Sequence, residues 1–166
     1  MRKIVVGVML FVVVTAVVPA VVFAADELNE VRLNTIRANC VAAQSTIQRI
    51  GRNDTTSRIN RGRDYDAVLR LFYAMNTRLS ANNITEPKLA EITKSFETEL
   101  QNFRSRYNTY NGNYKASVDI NCVSRPADFY SSLDKTRDSR QEINNSIRKL
   151  NELIDNYRTV IAELQL

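Results

Sequence analysis

The stretch FYSSLDKTRDSRQEINNSIRKLNELIDNYRTVIAEL, residues 129–164, sets a length that the rest of the chain must match. No Gly or Pro interrupts it, and Pro126 stands just ahead of it. Positions suited to burial recur alternately four and three residues apart, the spacing of a helix that packs along its whole length. The pattern predicts one helix of ~40 residues, about 60 Å long. The packing face holds Phe129, Leu133, Thr136, Arg140, Ile143, Ile147, Leu150, Ile154, Tyr157, Ile161 and Leu164.

Upstream of this helix the same spacing recurs in three segments. Apolar positions follow helical registers over 33–50, 65–79 and 89–118. Thr85 is a good N-cap for the last segment, and Pro87 suits its first turn. Residues 51–63, which include Gly51 and Gly62, are weak helix formers. The chain therefore either breaks near 52–57, giving four helices, or continues through and gives three.

Two cysteines, Cys40 and Cys122, are the only ones in the chain. In an oxidising compartment an even count predicts a disulfide. The bond also favours one interpretation of the helices, because the two Cα atoms must come within about 7 Å. A long first helix at about 26–82, followed by helices at about 86–121 and 125–164, brings the cysteines to one level. We therefore predict an all-α fold, an elongated antiparallel three-helix bundle closed by the disulfide.

The amino terminus has the pattern of an export signal. Arg2 and Lys3 precede an apolar run over 4–25, and small residues before Ala25 suit a signal peptidase. Residues 1–24 are predicted to be a cleaved signal peptide, or else an uncleaved anchor that is the only membrane contact. The remainder, 25–166, is expected to form one exported domain that is secreted, periplasmic or on the cell surface. Residues 26–39 are predicted to form a helical stalk.

Polar residues interrupt the packing faces of all three predicted helices. The predicted register places these interruptions at one height along the bundle, which we call the waist. One interpretation is a hydrogen-bonded layer that fixes the register, with Asp54 paired to Arg140. The other is an anion site, because arginine clamps phosphate and carboxylate groups well and tyrosines can stack on a ligand. The candidate residues are Asp54, Arg58, Arg61, Tyr107, Tyr110, Arg137 and Arg140.

Composition limits the function classes. The chain has no His and only four Gly, so the usual nucleophile–base pairs, metal sites and phosphate-binding loops cannot be assembled. We expect no enzymatic activity, no metal and no cofactor. The net charge of +5 is small and no nucleic-acid motif occurs, so specific nucleic-acid binding is not expected.

The sequence thus predicts an interaction or structural module of the cell envelope or extracellular space. Its partner would be a protein or an anionic envelope component. The first alternative is a binder of an anionic polymer or ligand at the waist. The second is a holdase-like chaperone, which would require an oligomer that encloses an apolar cavity.

Overall fold

The computed structural model describes residues 29–164, which form four helices and no strand. The helices are α1 (Glu30–Ala38), α2 (Cys40–Ala81), α3 (Pro87–Asp119) and α4 (Pro126–Glu163). The predicted all-α class is confirmed. The predicted signal, residues 1–24, lies outside the described residues. Within 29–164 no helix combines the length and the hydropathy needed to cross a membrane.

The first predicted helix is divided at Asn39, so the prediction of one helix over 26–82 is wrong there. Asn39 has φ −104° and ψ 12°, away from helical values. Its side-chain amide donates to the carbonyl oxygen of Thr35 at 2.9 Å, a carbonyl that also accepts from the Asn39 backbone amide at 3.1 Å. The backbone amides of Asn39 and Ala43 still bond to the carbonyls four residues earlier. The break is thus a one-residue distortion, and it produces the fourth helix.

Residues 51–63 are helical throughout, because α2 is continuous from Cys40 to Ala81. Two threonine hydroxyls of this segment bond within the helix. Thr55 Oγ1 donates to the carbonyl oxygen of Gly51 at 2.9 Å, and Thr56 Oγ1 donates to that of Arg52 at 3.3 Å. These hydroxyls therefore leave the backbone ladder intact. No break occurs near 52–57.

Asn83 makes the turn between α2 and α3. Its φ of 60° lies in the left-handed region, which Asn tolerates better than most residues. The Ile84 amide reaches back to the carbonyl oxygen of Leu79 at 2.9 Å and closes the helix end. The predicted cap, Thr85, is wrong by one residue: Glu86 caps α3 by accepting a bond from the Lys88 amide at 3.1 Å.

Side-chain bonds fix the directions of the three long helices. Gln44 bonds to the carbonyl of Ile120 at 3.1 Å, whereas Asn76 bonds to Thr93 at 2.9 Å, so α2 and α3 run in opposite directions. Two hydrogen bonds show that α3 and α4 also run in opposite directions. Ser117 bonds to Ser132 at 2.9 Å, and Arg106 donates to Ser146 at 2.5 Å. It follows that α2 and α4 run in the same direction.

The disulfide joins Cys40 and Cys122, whose Cα atoms are 5.5 Å apart. The predicted pairing is confirmed. Both cysteines are buried with Phe129 in a small cluster, against which Ile36 of α1 and Leu133 of α4 also pack. The disulfide thereby ties the start of α2 to the loop between α3 and α4.

The main core lies toward the other end of the helices and is rich in aromatic side chains. Phe96 is fully buried beneath Tyr65 and Phe72, with ring centroids 6.1 and 5.2 Å away in edge-on geometry. Phe72 also stacks on Tyr157 at 3.8 Å. Burial of each such ring contributes roughly 1.5–3 kcal/mol. This core spans α2, α3 and α4 and holds them together.

A hydroxyl layer lies in the α3–α4 interface at the level between the small cluster and the main core. Ser117, which is fully buried, is within hydrogen-bond distance of Ser132 at 2.9 Å and of Thr136 at 2.8 Å. Ser117 thus has partners although it lies inside the protein. The sequence register had continued through Val118, but Ser117 takes the buried position and Val118 is only half-buried.

Candidate functional site

Asp54 is the centre of the polar section on α2. It lies on the face of α2 that carries Tyr65 and Phe72 in the core, since these positions are separated by whole numbers of helical turns. Its side chain is 15% exposed. Tyr110 donates its hydroxyl proton to Asp54 Oδ2 at 2.5 Å, and Arg140 Nη2 donates to Oδ1 at 3.0 Å. Asp54 thus connects all three long helices.

The pair of Asp54 and Arg140 matches the register expected from the sequence. The guanidinium of Arg140 is 52% exposed, so solvent screens part of the attraction between the two charges. The bond occupies one of five N–H groups on the guanidinium. The others remain available for a ligand on the solvent side.

A cleft of about 150 Å³ opens beside this pair, between α2 and α4 and above the tyrosines of α3. We call it the Asp54 cleft. Ile143 and Ile147 form its apolar wall. Its polar lining is Asp54, Ser57, Arg61, Tyr107, Tyr110, Arg140 and Asn144.

Four hydrogen-bond donors of the Asp54 cleft have no partner among residues 29–164. Arg61 makes no ion pair there, and no hydrogen bond joins the side chains of Ser57, Tyr107 or Asn144 to another described residue. Each of these groups can donate to an oxyanion. Their convergence gives the cleft the chemistry of a small-anion site.

The two tyrosines of the cleft are held in their neutral, proton-donating form. Burial and then the hydrogen bond to Asp54 raise the pKa of Tyr110 far above its usual value of 10.0. Burial also raises the pKa of Tyr107; the charge of Asp54 adds to that shift, and Arg61 and Arg140 partly oppose it. Near neutral pH neither phenol carries a charge that would repel an anion.

We expect Tyr110→Phe to lower the free energy of unfolding near neutral pH by about 1 kcal/mol, because Asp54 loses one of its two partners. The variant should also lose less stability than the wild type above about pH 10. The unfolded chain releases the phenolic proton near pH ~10, whereas folded Tyr110 retains it. Its contribution is therefore complete below that pH and is lost as the pH rises through the folded-state pKa. Urea unfolding at about pH 7, 9 and 11 measures both effects.

The control for this prediction is Tyr130→Phe. The Tyr130 hydroxyl has no hydrogen-bond partner in the described part of the chain, so its removal should leave the neutral-pH stability unchanged. The assignment of the Asp54 bond would be contradicted if Tyr110→Phe and the wild type were equally stable at neutral pH and lost equal stability between about pH 7 and pH 11.

Two of the predicted waist residues lie outside the Asp54 cleft. Arg58 lines a separate groove of about 390 Å³ between α2 and α3, together with Arg63, Arg70 and Arg104. Arg137 pairs with Asp134 of its own helix at 2.9 Å. The structure thus brings together Asp54, Arg61, Tyr107, Tyr110 and Arg140.

Several neighbouring residues of α3 and α4 do not line the Asp54 cleft. Thr136 bonds to Ser117 in the hydroxyl layer rather than to Asp54. Asn108 and Gly112 of α3 are exposed. Asn144, which lines the Asp54 cleft, had not been singled out. It follows Ile143 directly on α4, and that position beside a packing residue is the signal that could have identified it.

Neither a metal site nor a comparison with known proteins indicates a function. Residues 29–164 contain no group of three or more His, Cys, Asp or Glu side chains placed to hold a metal ion. Comparison with protein-family models, with curated proteins and with solved structures finds no match. The proposal for function therefore depends on the geometry of the Asp54 cleft.

Proposed function

We propose that the protein is a non-enzymatic binding module that works outside the cytoplasm, secreted or membrane-tethered, and holds the anionic group of a ligand in the Asp54 cleft. The helices α2, α3 and α4 act as an elongated three-helix bundle, and α1 acts as a stalk toward the amino-terminal segment. The bundle supplies a fixed scaffold, and the cleft supplies the donors.

One observation carries the proposal: Arg61, Ser57, Tyr107 and Asn144 line the same cleft, and their side chains are without partners in the described part of the chain. Ser57, Arg61 and Asn144 are exposed, so their donors face the solvent side of the cleft, from which a ligand would approach. An oxyanion accepts several such bonds at once, and bonds to a charged group are the stronger kind. A ligand oxyanion completes the arrangement.

The charge balance of the cleft also favours an anion. Arg61 and Arg140 both line it, whereas Asp54 is the only acidic residue among the described residues of its lining. Both oxygens of Asp54 are already engaged by Tyr110 and Arg140. Its main effect is therefore to orient Arg140, and the cleft keeps a positive charge.

The placement outside the cytoplasm has two supports. Residues 1–24 have the composition of an export signal. The disulfide between Cys40 and Cys122 persists most readily in an oxidising compartment. Ligands available to an exported protein include the anionic groups of envelope components.

We expect calorimetric titration with inorganic phosphate at low ionic strength to show binding at one site. Arg61→Ala should weaken it at least tenfold, since a bond to a charged group contributes about 1.5–3 kcal/mol. Arg70→Ala is the matched control, because it removes the same charge from the same helix on the α2–α3 side. It should weaken binding less than about threefold.

Two results would contradict this assignment. Absence of phosphate binding by the wild type removes the anion site. Equal weakening by Arg61→Ala and Arg70→Ala would replace the site with general attraction to a basic surface.

A second candidate is a linear anionic polymer, and the groove that holds Arg58, Arg63, Arg70 and Arg104 favours it. Arg104 is paired with Asp66, and the groove keeps an excess of basic residues. Titration with polyphosphate distinguishes the two. A polymer that follows the α2–α3 groove would bind with a steep salt dependence and would be weakened by Arg70→Ala as much as by Arg61→Ala.

A further inference from the structure

An apolar groove of about 500 Å³ lies between the first turns of α2 and the first half of α4. Tyr110 and Tyr114 of α3 form its floor. The wall from α2 includes Ala43, Ile47 and Ile50, and Leu133 faces them from α4. We call it the α2–α4 groove. Small side chains at Ala42 and Ala43 leave the space between the two helices open.

The α2–α4 groove and the Asp54 cleft share residues. Tyr110 and Arg140 line both, and Arg137 stands at the same end of the groove. At the opposite end Leu133 and Ala43 pack against the disulfide cluster. The bond between Asp54 and Arg140 joins α2 to α4 at the boundary of the two cavities, so the pair of cavities is polarised, with convergent donors and arginines on one side of this bond and an apolar groove on the other.

We propose that the ligand is an anionic amphiphile with a single alkyl or acyl chain. Its phosphate-like head occupies the Asp54 cleft, and its chain lies in the α2–α4 groove toward the disulfide. This assignment rests on the proposed function and specifies the class of ligand. Charge complementarity sets the orientation, because Arg61 and Arg140 attract the head, whereas the walls near Ala43 and Leu133 offer no charge to it.

The dimensions of the groove favour the alkyl chain of a ligand over a helix of another protein as its occupant. From Asn39 to Ile50 the groove follows α2 for about 16 Å, so a volume of about 500 Å³ leaves a cross-section on the order of 30 Å². A helix with side chains is about 10 Å in diameter and could insert only some of its side chains into a groove this narrow. An alkyl chain is narrow enough to enter, and each buried methylene should raise the affinity roughly fourfold.

The test compares dodecyl phosphate, butyl phosphate and inorganic phosphate by calorimetry, each below the concentration at which micelles form. We expect one molecule of dodecyl phosphate per chain and an affinity at least 100-fold above that of inorganic phosphate, with butyl phosphate between them. Arg61→Ala should weaken all three ligands, because all three share the head group.

Variants in the α2–α4 groove distinguish the contribution of the ligand's alkyl chain to binding from that of its head group. Ala43→Phe fills the groove and should reduce the affinity for dodecyl phosphate to that for inorganic phosphate, while phosphate binding persists and shows that the cleft is intact. Thr46→Phe, a second groove position, should act in the same direction. Val41→Phe is the matched control: Val41 is 80% exposed and lies outside the groove, so affinity should be unchanged.

Each other outcome has a defined meaning. Equal affinities for inorganic and dodecyl phosphate would overturn the amphiphile and leave the anion cleft standing. Failure of both to bind overturns the amphiphile and the proposed function together. Dodecyl phosphate binding that survives Ala43→Phe and Thr46→Phe overturns the groove as the chain site. A dimer in light scattering that Ala43→Phe abolishes would instead make a second copy of the chain the occupant, and it too overturns the proposal.

Discussion

Replacement of both cysteines, Cys40→Ala with Cys122→Ala, is expected to lower the free energy of unfolding by about 4 kcal/mol. The bond closes a loop with a sequence separation of 82, so its loss restores a large conformational freedom to the unfolded chain. Cys122 is also fully buried in the small cluster with Phe129. Urea unfolding of the variant and the oxidised wild type measures the difference.

Reduction of the wild-type protein is the control for the cysteine replacement, since it breaks the same bond without changing the side chains beyond the sulfur. It should cost a similar free energy. Hydrogen exchange should accelerate first at the start of α2, near Ala43 and Ile47, whereas amides around Phe96 in the main core remain protected. A loss below about 1 kcal/mol would show that the small cluster holds its place without the bond.

Gly51→Leu should lower the free energy of unfolding by about 1 to 2 kcal/mol, although Leu is the better helix former. A Cβ atom at Gly51 would overlap the ring and hydroxyl of Tyr114, which packs directly against the helix backbone there. The half-buried tyrosine ring must swing away from α2 to admit any side chain, and we expect the packing that it loses against the core to exceed the gain of about 1 kcal/mol in helix propensity.

Gly62→Leu is the matched control on the same helix. A Cβ atom at Gly62 meets nothing within 4 Å, so this variant should gain up to about 1 kcal/mol. In a Tyr114→Ala background Gly51→Leu should become neutral or stabilising, because the obstructing ring is gone. The same loss from Gly51→Leu with and without Tyr114 would show that the clash is not its cause.

The periodic parts of the fold could be predicted from the sequence, because a helix that packs along its length must repeat its apolar positions. The stretch 129–164 met this condition, and α4 extends from Pro126 to Glu163. The disulfide could be predicted from two cysteines and a register. The break at Asn39 could not be predicted, since it is a distortion of one residue inside a segment that keeps its backbone hydrogen bonds and its helical pattern.

Residues 51–63 illustrate a propensity overridden by packing. Gly51 weakens a helix in isolation, but here its missing side chain admits the ring of Tyr114. Nothing in the local sequence links two residues so far apart, so only a register between α2 and α3 could have suggested their contact. The same register suggests the pair of Asp54 and Arg140, whereas the bond from Tyr110 to Asp54 is a finding of the structure alone.

The waist was predicted at a single height, but polar side chains occupy several. Ser117 and Thr136 bond to each other in the hydroxyl layer. Further along, Arg106 binds Ser146, and Tyr157 donates to Asn76 at 2.7 Å. Small or long polar side chains at packing positions are hard to assign from sequence, because either a partner or solvent can satisfy them. The Asp54 cleft differs from these layers because it opens to solvent, and its exposed donors Ser57, Arg61 and Asn144 have no partner among residues 29–164.

The measurement that tests the anion site most directly is a ¹H–¹⁵N spectrum of the labelled, disulfide-bonded protein titrated with inorganic phosphate. The predicted result is saturable shifts confined to the Asp54 cleft, at the amides near Asp54 and Arg61, the amide of Asn144 and the side-chain signals of Arg61 and Arg140. Shifts concentrated instead at Arg63 and Arg70, or no shift at all, would contradict a specific anion site in this cleft.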